Sequence, residues 1–186
     1  IFIDTVHVKE IDDIKNMFAF GGSYPRISGL SDKTLEDEIN ALFEKNCQEY
    51  LESSKKEGGV NASIWFEVLT ARNDFISVVQ HTGWTVYDAN GYGFDAYVVN
   101  ADITNKRFLN NADFNLGDLQ IRDFNSTVLN YFKKENIYDP IEDFSYIPKA
   151  NNSSDLNNFK YGVRDNYLVL VENSMPGARA SMGVYI

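Results

Sequence analysis

The chain has 186 residues and a formal net charge of −10, from 17 basic and 27 acidic side chains. That length suits one compact unit over residues 1–186, or two packed modules over 1–103 and 104–186. The charge disfavours nucleic acid and anionic lipid as partners, because both are polyanions. No stretch approaches the roughly 20 apolar residues of a membrane span, so we expect no membrane insertion of this segment.

The first predicted elements are two strands. Residues 1–10 alternate apolar and polar side chains, which is typical of a half-buried strand. A second strand is predicted over residues 15–27, with a bend at 21–22. Pro25 is extended and keeps Tyr24 out of the helical region, which favours a strand there.

A long amphipathic helix is predicted over residues 32–56. Its apolar residues recur at steps of three and four and share one face: Leu35, Ile39, Leu42, Phe43, Cys47, Tyr50 and Leu51. Ser31 is the predicted N-cap, and Leu30 and Leu35 have the spacing of a hydrophobic staple. Gly58 and Gly59 end the helix.

Alternation returns after the helix. Strands are predicted over residues 62–70 and 75–82 with a turn at 73–74, which makes a hairpin. Residues 84–87 extend the second strand, 88–91 form a turn, and 92–103 form another strand that closes a hairpin at 104–106.

The last third of the chain begins with a helical period. From residue 115 the spacing indicates one or two helices, the second over 126–134 with Asn125 or Ser126 as its cap. Residues 159–163, 167–172 and 180–186 then indicate an antiparallel meander. This order predicts an α+β fold, with antiparallel sheets and the two helices packed on one face.

Catalytic residues are not evident in the sequence. His7 and His81 lie far apart, no G-x-S-x-G motif is present, and the S-x-x-K at residues 53–56 falls at a polar helix end. Carboxylates are abundant, but nothing marks out one pair for glycoside hydrolysis. Cys47, the sole cysteine, lies on the apolar helix face and is interpreted as a small buried hydrophobe. We therefore predict a non-enzymatic domain. An uncharacterised hydrolase ranks third, after the two binding functions that the family resemblance given below implies.

Metal and cofactor sites are not expected. Residues 88–95 superficially resemble a calcium loop, with oxygen ligands at alternate positions such as Asp88 and Asn90. The loop lacks a third carboxylate or amide oxygen at this alternate spacing, because position 92 is Tyr92, and it lacks a glutamate at the twelfth position, so an ordinary β-turn is favoured.

Aromatic residues around that turn are the candidate binding residues. Trp84, Tyr87, Tyr92 and Phe94 could form a recognition surface, since aromatic side chains are large and lose little entropy. Each could equally belong to a cross-strand core pair. Tyr92 is the best candidate for exposure because glycine flanks it on both sides. The turn with Met175 and Pro176 is a second candidate surface.

Several short motifs along the chain resemble one extracytoplasmic domain family. They are Tyr24-Pro25-Arg26-Ile27-Ser28-Gly29-Leu30, Ile39-Asn40, Trp65-Phe66-Glu67-Val68, Phe75-Ile76-Ser77-Val78-Val79, the segment 91–102, Asn105-Lys106-Arg107-Phe108, Asn115-Leu116-Gly117-Asp118-Leu119, Phe159-Lys160-Tyr161, Met175-Pro176-Gly177-Ala178 and Gly183-Val184-Tyr185-Ile186. The family is the domain of unknown function shared by a lysozyme-responsive anti-sigma factor of the sigma-V type and the N-terminal region of a peptidoglycan deacetylase.

The resemblance implies a non-catalytic domain outside the cytoplasm that senses or binds a partner in the bacterial cell envelope. A membrane anchor outside this segment is then expected. The acidity fits a basic protein partner such as lysozyme. The alternative is an accessory domain that binds peptidoglycan or another cell-wall glycan.

Overall fold

The computed structural model describes residues 1–87, 91–114, 121–134, 150–151, 155–165, 167–171 and 184–185. Within these residues the first sheet contains β1 (Phe2–His7), β2 (Ile11–Asp13), β3 (Phe18–Ser28), β4 (Val60–Ala71), β5 (Phe75–Val86), β6 (Tyr92–Asp102) and β7 (Arg107–Phe108). The second contains β8 (Lys160–Arg164), β9 (Tyr167–Val171) and β10 (Val184–Tyr185). The α-helices are α1 (Lys33–Glu57) and α2 (Ile121–Lys134), with short 3-10 helices at Ile14–Asn16, Asn111–Phe114 and Asp155–Asn158.

The strand order confirms the predicted α+β class and the predicted hairpins. The first sheet runs β1-β3-β4-β5-β6-β7, with β2 paired to the start of β3, and the second runs β10-β9-β8. All pairings are antiparallel except β3 with β4, which is parallel. The first sheet is therefore mixed and not purely antiparallel. The reason is that α1 carries the chain back along the sheet between β3 and β4, as a crossover helix does.

Helix α1 is capped by Asp32, so the prediction of Ser31 as N-cap is wrong. The Asp32 carboxylate accepts a hydrogen bond from the Leu35 amide at 3.1 Å and pairs with the Lys106 ammonium at 3.0 Å. These contacts hold the pKa of Asp32 below its usual value, with the Leu35 hydrogen bond as the main cause. The negative carboxylate is also attracted to the positive N-terminal end of the helix dipole, whereas a neutral serine hydroxyl is not.

One face of the first sheet is covered by α1. Leu35, Ile39, Phe43 and Cys47 are buried there, as the helical period predicted. Burial raises the pKa of the Cys47 thiol to about 11, so it is a neutral core group at physiological pH.

Asparagine side chains fix the position of α1 on the sheet. Asn40 bonds both backbone groups of Ile27, accepting from the amide at 2.7 Å and donating to the carbonyl at 2.9 Å. Asn46 donates to Gln80 at 2.8 Å, and Gln80 donates to the Phe43 carbonyl at 3.1 Å. The buried polar atoms between helix and sheet therefore have partners.

The predicted bend in β3 falls at Gly22, which has a φ of 124°. A Cβ atom at this position would lie 1.9 Å from the Ile64 carbonyl oxygen. The paired stretch of β3 and β4 ends at these two residues, and β3 continues along β1 alone. Only glycine allows both the positive φ and the close backbone approach.

The second sheet covers part of the opposite face of β4, β5 and β6. Its Val169 and Val171 pack with Leu69, Val79 and Ala96. Buried polar links join the layers, including Thr70 Oγ1 to the Val163 carbonyl at 2.7 Å and Asn100 Nδ2 to the Tyr161 carbonyl at 2.8 Å. The division into modules 1–103 and 104–186 stays a prediction.

Helix α2 includes the predicted segment 126–134 but begins at Ile121, so capping at Asn125 or Ser126 is wrong. Asn125 lies within the helix, and its side chain pairs with both backbone groups of Ala150, at 2.8 Å and 2.9 Å. A tertiary contact, not a helix cap, explains this asparagine. Neither α1 nor α2 is long and apolar enough to cross a membrane, and they are the α-helices of the described part of the chain.

Candidate functional site: an aromatic sheet face

The predicted aromatic residues are divided between the two faces of the first sheet. Trp84 pairs with Gly93 and Gly83 pairs with Phe94 in the β5–β6 ladder. Because alternate residues of a strand point to opposite faces, Trp84 and Phe94 lie on different sides. The candidates therefore do not form one continuous surface.

Trp84 belongs to the core between the sheet and α1. It is partly buried against the cluster that contains Phe18, Val60 and Cys47. A Cβ atom at Gly93 would lie 2.7 Å from the Trp84 indole, so the ring fits only because residue 93 is glycine. This packing agrees with the core alternative for Trp84, and its role as a binding residue stays a prediction.

Tyr87 and Tyr92 are exposed, at 39% and 41% of their surface. Tyr92 lies at the start of β6, and Tyr87 follows the end of β5, where its amide donates to the Gly59 carbonyl at 2.9 Å. Met175 and Pro176 lie outside the described residues.

Phe94 lies in a group of aromatic rings on the face opposite α1, which we call the aromatic face: Trp65, His81, Tyr92 and Phe94. The Trp65 ring stacks on the His81 imidazole with centroids 5.4 Å apart and meets Phe94 edge-on at 6.2 Å. Tyr92 and Phe94 have centroids 6.0 Å apart. Trp65 and Phe94 are half-buried, so the group is a partly exposed apolar surface.

Gly83 allows the aromatic face to close. A Cβ atom at this position would lie 2.8 Å from the Phe94 ring and 3.1 Å from the Trp65 ring. The two rings therefore meet above the backbone of β5, in space that any side chain would fill. Three neighbouring strands supply the group.

His81 is the buried polar member of the aromatic face, with only 1% of its surface exposed. Neither ring nitrogen has a hydrogen-bond partner among the described residues. Burial lowers the pKa of His81 to about 4, although the nearby Glu67 carboxylate acts in the opposite direction. His81 is therefore neutral at pH 7.

Two ion pairs connect the second sheet to the strands of the aromatic face; Glu67 lies on that face, whereas Asp95 points to the α1 side. Arg164 of β8 pairs with Glu67 of β4. Lys160 of β8 pairs with Asp95 of β6 at 2.8 Å. Both join the second sheet to the first, so these charges contribute to the attachment of β8.

A groove lies at the outer edge of β6, away from the aromatic face. Its volume is about 660 Å³, and it is lined by Tyr97, Val98, Asn100, Leu109, Asn110, Asn111, Ala112, Phe159, Lys160 and Tyr161. It combines apolar walls with asparagine amides, as small binding sites commonly do. The groove and the aromatic face are therefore two different surfaces of the domain.

Trp65 and His81 are the members of the aromatic face that were not predicted. Trp65 pairs with His81, and His81 pairs with Ala96, across β4, β5 and β6. Alternation and the turn at 73–74 alone would place Trp65 opposite Thr82, because a β-bulge between Val68 and Thr70 shifts the register by one residue. The pairing of Trp65 with His81 therefore could not be predicted from the hairpin.

Histidines and acidic residues do not converge on a metal site in the described part of the chain. His7 lies on β1, separated from the β5 strand of His81 by β3 and β4. No group of three or more metal-ligating side chains occurs among the described residues. Of the predicted turn, residues 88–90 lie outside the description, while Asp95 bonds its neighbouring amide of Ala96 at 2.7 Å.

These features define an α+β domain with a two-layer sheet arrangement, a crossover helix and a partly exposed aromatic face. No protein-family model and no curated protein sequence matches the chain. Among solved structures, the fold is similar to that of a DUF3298 family protein from Bacteroides fragilis, with a TM-score of 0.55 and 13% identity over 100% of this chain and 89% of that one.

A DUF3298 family protein from Pseudomonas aeruginosa gives a TM-score of 0.47 and 12% identity, over 72% of this chain and 67% of that one. The structural neighbours are thus members of a family of unknown function. At such identity the Bacteroides likeness shows a shared fold. It extends over the whole of the present chain.

Proposed function

We propose that this chain is a non-catalytic binding domain of the bacterial cell envelope, acts outside the cytoplasm, and recognises a basic protein such as lysozyme. The observation that carries the proposal is the partly exposed aromatic face in a strongly acidic chain. The proposal includes an extracytoplasmic location and a membrane anchor elsewhere in the protein. Both rest on the family resemblance of the sequence.

The aromatic face has the physical properties of a protein-binding surface. Its rings are held on neighbouring strands and contact each other, so little side-chain entropy remains to be lost on binding. Tryptophan and tyrosine are enriched among residues that dominate interface energies. Tyr92 and Phe94 supply the accessible part of the aromatic face. Trp65 packs edge-on against the Phe94 ring and holds it in place.

Net charge supports a basic partner. Glu67 on the aromatic face and Asp95 on the other side of β6 are already paired with Arg164 and Lys160, so neither offers an isolated carboxylate. The attraction would come instead from the net charge of −10, which speeds encounter with a cationic protein and is screened by salt.

Lysozyme binding tests this proposal. We expect the purified domain to bind immobilised lysozyme at low ionic strength and to bind more slowly as salt increases, because charge steering acts on the association rate. An acidic protein of similar size serves as the control for nonspecific adsorption. Absence of association at low ionic strength would overturn the lysozyme proposal.

A cell-wall glycan is the second candidate, and one geometric feature favours it. Tyr92 and Phe94 alternate on one strand with ring centroids 6.0 Å apart, which makes a narrow apolar strip ending in a phenol hydroxyl. Such a strip can stack on the apolar side of a sugar ring while the hydroxyl forms hydrogen bonds.

Retention on insoluble peptidoglycan separates the two candidates. The glycan proposal predicts that Tyr92→Ala reduces retention, whereas Phe2→Ala, which changes a side chain that is 71% exposed on β1, does not. Equal retention of both variants and the unchanged protein would count against a glycan site on the aromatic face. Trp84→Ala is unsuitable here because Trp84 is part of the core.

A further inference from the structure

The outer edge of β6 is only partly paired. β7 pairs with its last two residues, at Ala101 and Asp102, and the Leu109 amide then donates to the Asn100 carbonyl at 2.8 Å. Beyond that point the chain leaves β6 and forms the 3-10 helix Asn111–Phe114. The groove described above begins where the two segments separate.

The hydrogen-bonding direction of each β6 residue follows from the ladder. In an antiparallel strand the amide and carbonyl of one residue point to the same side, and alternate residues point to opposite sides. Asn100 points outward because Leu109 bonds its carbonyl, and Ala96 points outward because Lys160 Nζ bonds its carbonyl at 2.5 Å. Val98, midway between them, therefore directs both backbone groups toward the groove.

Between Ala96 and the residue paired with Leu109, three outward backbone groups have no partner among the described residues: the Val98 amide, the Val98 carbonyl and the Asn100 amide. Ala96 differs, because Asp95 accepts from its amide at 2.7 Å and Lys160 donates to its carbonyl. Charged side chains of this kind commonly protect a sheet edge. The open stretch is bounded by that protection on one side and by Leu109 on the other.

We propose that this groove binds an extended peptide segment of a protein partner, which adds a short strand to β6 at Val98 in line with β7. The two amides and one carbonyl match the alternating backbone groups of a strand. Tyr97, Leu109 and Phe159 supply apolar walls for a side chain of the peptide. A volume of about 660 Å³ accommodates a few residues.

This inference does not depend on lysozyme or glycan binding, since the groove is separate from the aromatic face. Amide hydrogen exchange of the isolated protein gives the first test. We expect the Val98 and Asn100 amides to exchange faster than those of Val99 and Ala101, which face β5. Equal protection of all four amides would mean that the edge is already occupied, and would overturn the proposal.

Selection from a displayed library of random twelve-residue peptides gives the second test. We expect enriched peptides with alternating apolar residues, whose binding protects the Val98 amide from exchange. Val98→Pro removes the outward amide hydrogen. Proline is tolerated at a sheet edge, so this substitution should leave the strand in place. Ala112→Trp fills the groove from an exposed position without altering the strand. Each substitution should weaken binding by about tenfold or more.

Val98→Ala is the matched control, because it retains the amide and should change affinity by less than about threefold. Circular dichroism checks that each variant is folded. If Val98→Pro does not fold, Ala112→Trp still tests the groove. Failure to enrich any peptide, or equal binding by all variants, would contradict the proposal. So would self-association of the protein through this edge, detected by sedimentation and abolished by Ala112→Trp, because the occupant would then be a second copy.

Discussion

His81 is the residue with the most unusual environment in the described structure. A neutral imidazole is held under Trp65 with both nitrogens unsatisfied by the described residues. Burial without a partner disfavours the charged form, so the fold resists protonation at this position. The consequence is a specific dependence of stability on pH.

Protonation of His81 should destabilise the fold. The pKa of His81 is lowered from 6.5 to about 4 on folding, so the unfolded chain binds the proton more readily. Stability contributed by the neutral imidazole is complete above pH 6.5 and is lost as the pH falls toward 4, by about 3 kcal/mol in total. Urea unfolding at several pH values measures this loss.

His81→Leu provides the comparison for that experiment. Carboxylates with lowered pKa values, such as Asp32 and Glu36, also cost stability in acid, but they do so in both proteins. The difference in unfolding free energy between the two proteins should therefore change between pH 7 and pH 4.5. A constant difference over this range would show that His81 does not titrate as described.

Residue identities alone could not reveal the environment of His81. The pattern predicted a strand over residues 75–82 that 84–87 extend, and β5 does reach Val86; what the pattern did not give is that Trp65 and Ala96 lie beside His81 on the neighbouring strands. Burial depends on which side chains lie across the sheet. That information is carried by register and not by local sequence.

At the scale of elements, the start of α1 depends on Asp32. Asp32→Ala removes the hydrogen bond to the Leu35 amide and the pair with Lys106, and we expect a loss of about 1 kcal/mol in unfolding free energy. Thermal or urea unfolding measures it. Ser31→Ala is the adjacent control and should have little effect; if the serine variant were the more destabilised, the cap assignment would be incorrect.

The junction of β3 and β4 depends on Gly22. Gly22→Ala would place a Cβ atom 1.9 Å from the Ile64 carbonyl oxygen, at a φ of 124°, so we expect a loss of more than about 2 kcal/mol or failure to fold. Gly21→Ala is the neighbouring control, with a nearest contact of 3.6 Å to the Glu10 side chain. Similar stability of the two variants in urea unfolding would contradict the close approach.

Most elements follow from the sequence, and the differences have tertiary causes. The 3.6-residue period predicted α1 within one residue at each end, and alternation predicted the hairpins of β4–β5 and β6–β7. The parallel pairing of β3 with β4 was not predicted, because it depends on how α1 packs across the sheet. The start of α2 was not predicted because Asn125 bonds Ala150, far along the chain.

At the scale of the molecule, the candidate site is a product of strand pairing. Tyr92 and Phe94 were predictable as candidates from their position beside Gly91 and Gly93, but Trp84 could not be separated from them without the register. The strand pairing places Trp84 on the face covered by α1. It is Trp65 of β4 that packs against Phe94 on the opposite face. A cluster built from three strands cannot be recognised in any single segment.

The proposed site and the general acidity of the chain make separable contributions to binding. The net charge acts over a distance and is weakened by salt, whereas aromatic contacts act only in the bound complex and determine how long it lasts. Loss of an aromatic contact should therefore appear in the dissociation rate. The salt dependence should persist in such a variant.

The most direct measurement compares the dissociation rate of lysozyme from Phe94→Ala with that from Phe2→Ala at one salt concentration. Phe94 contacts Trp65 and Tyr92 in the aromatic face. Phe2 is exposed on β1, the strand at the far edge of the sheet from β6. We predict dissociation at least about tenfold faster for Phe94→Ala, typical of an interface anchor, and unchanged for Phe2→Ala. Equal dissociation rates for the two folded variants would contradict a binding role for the aromatic face.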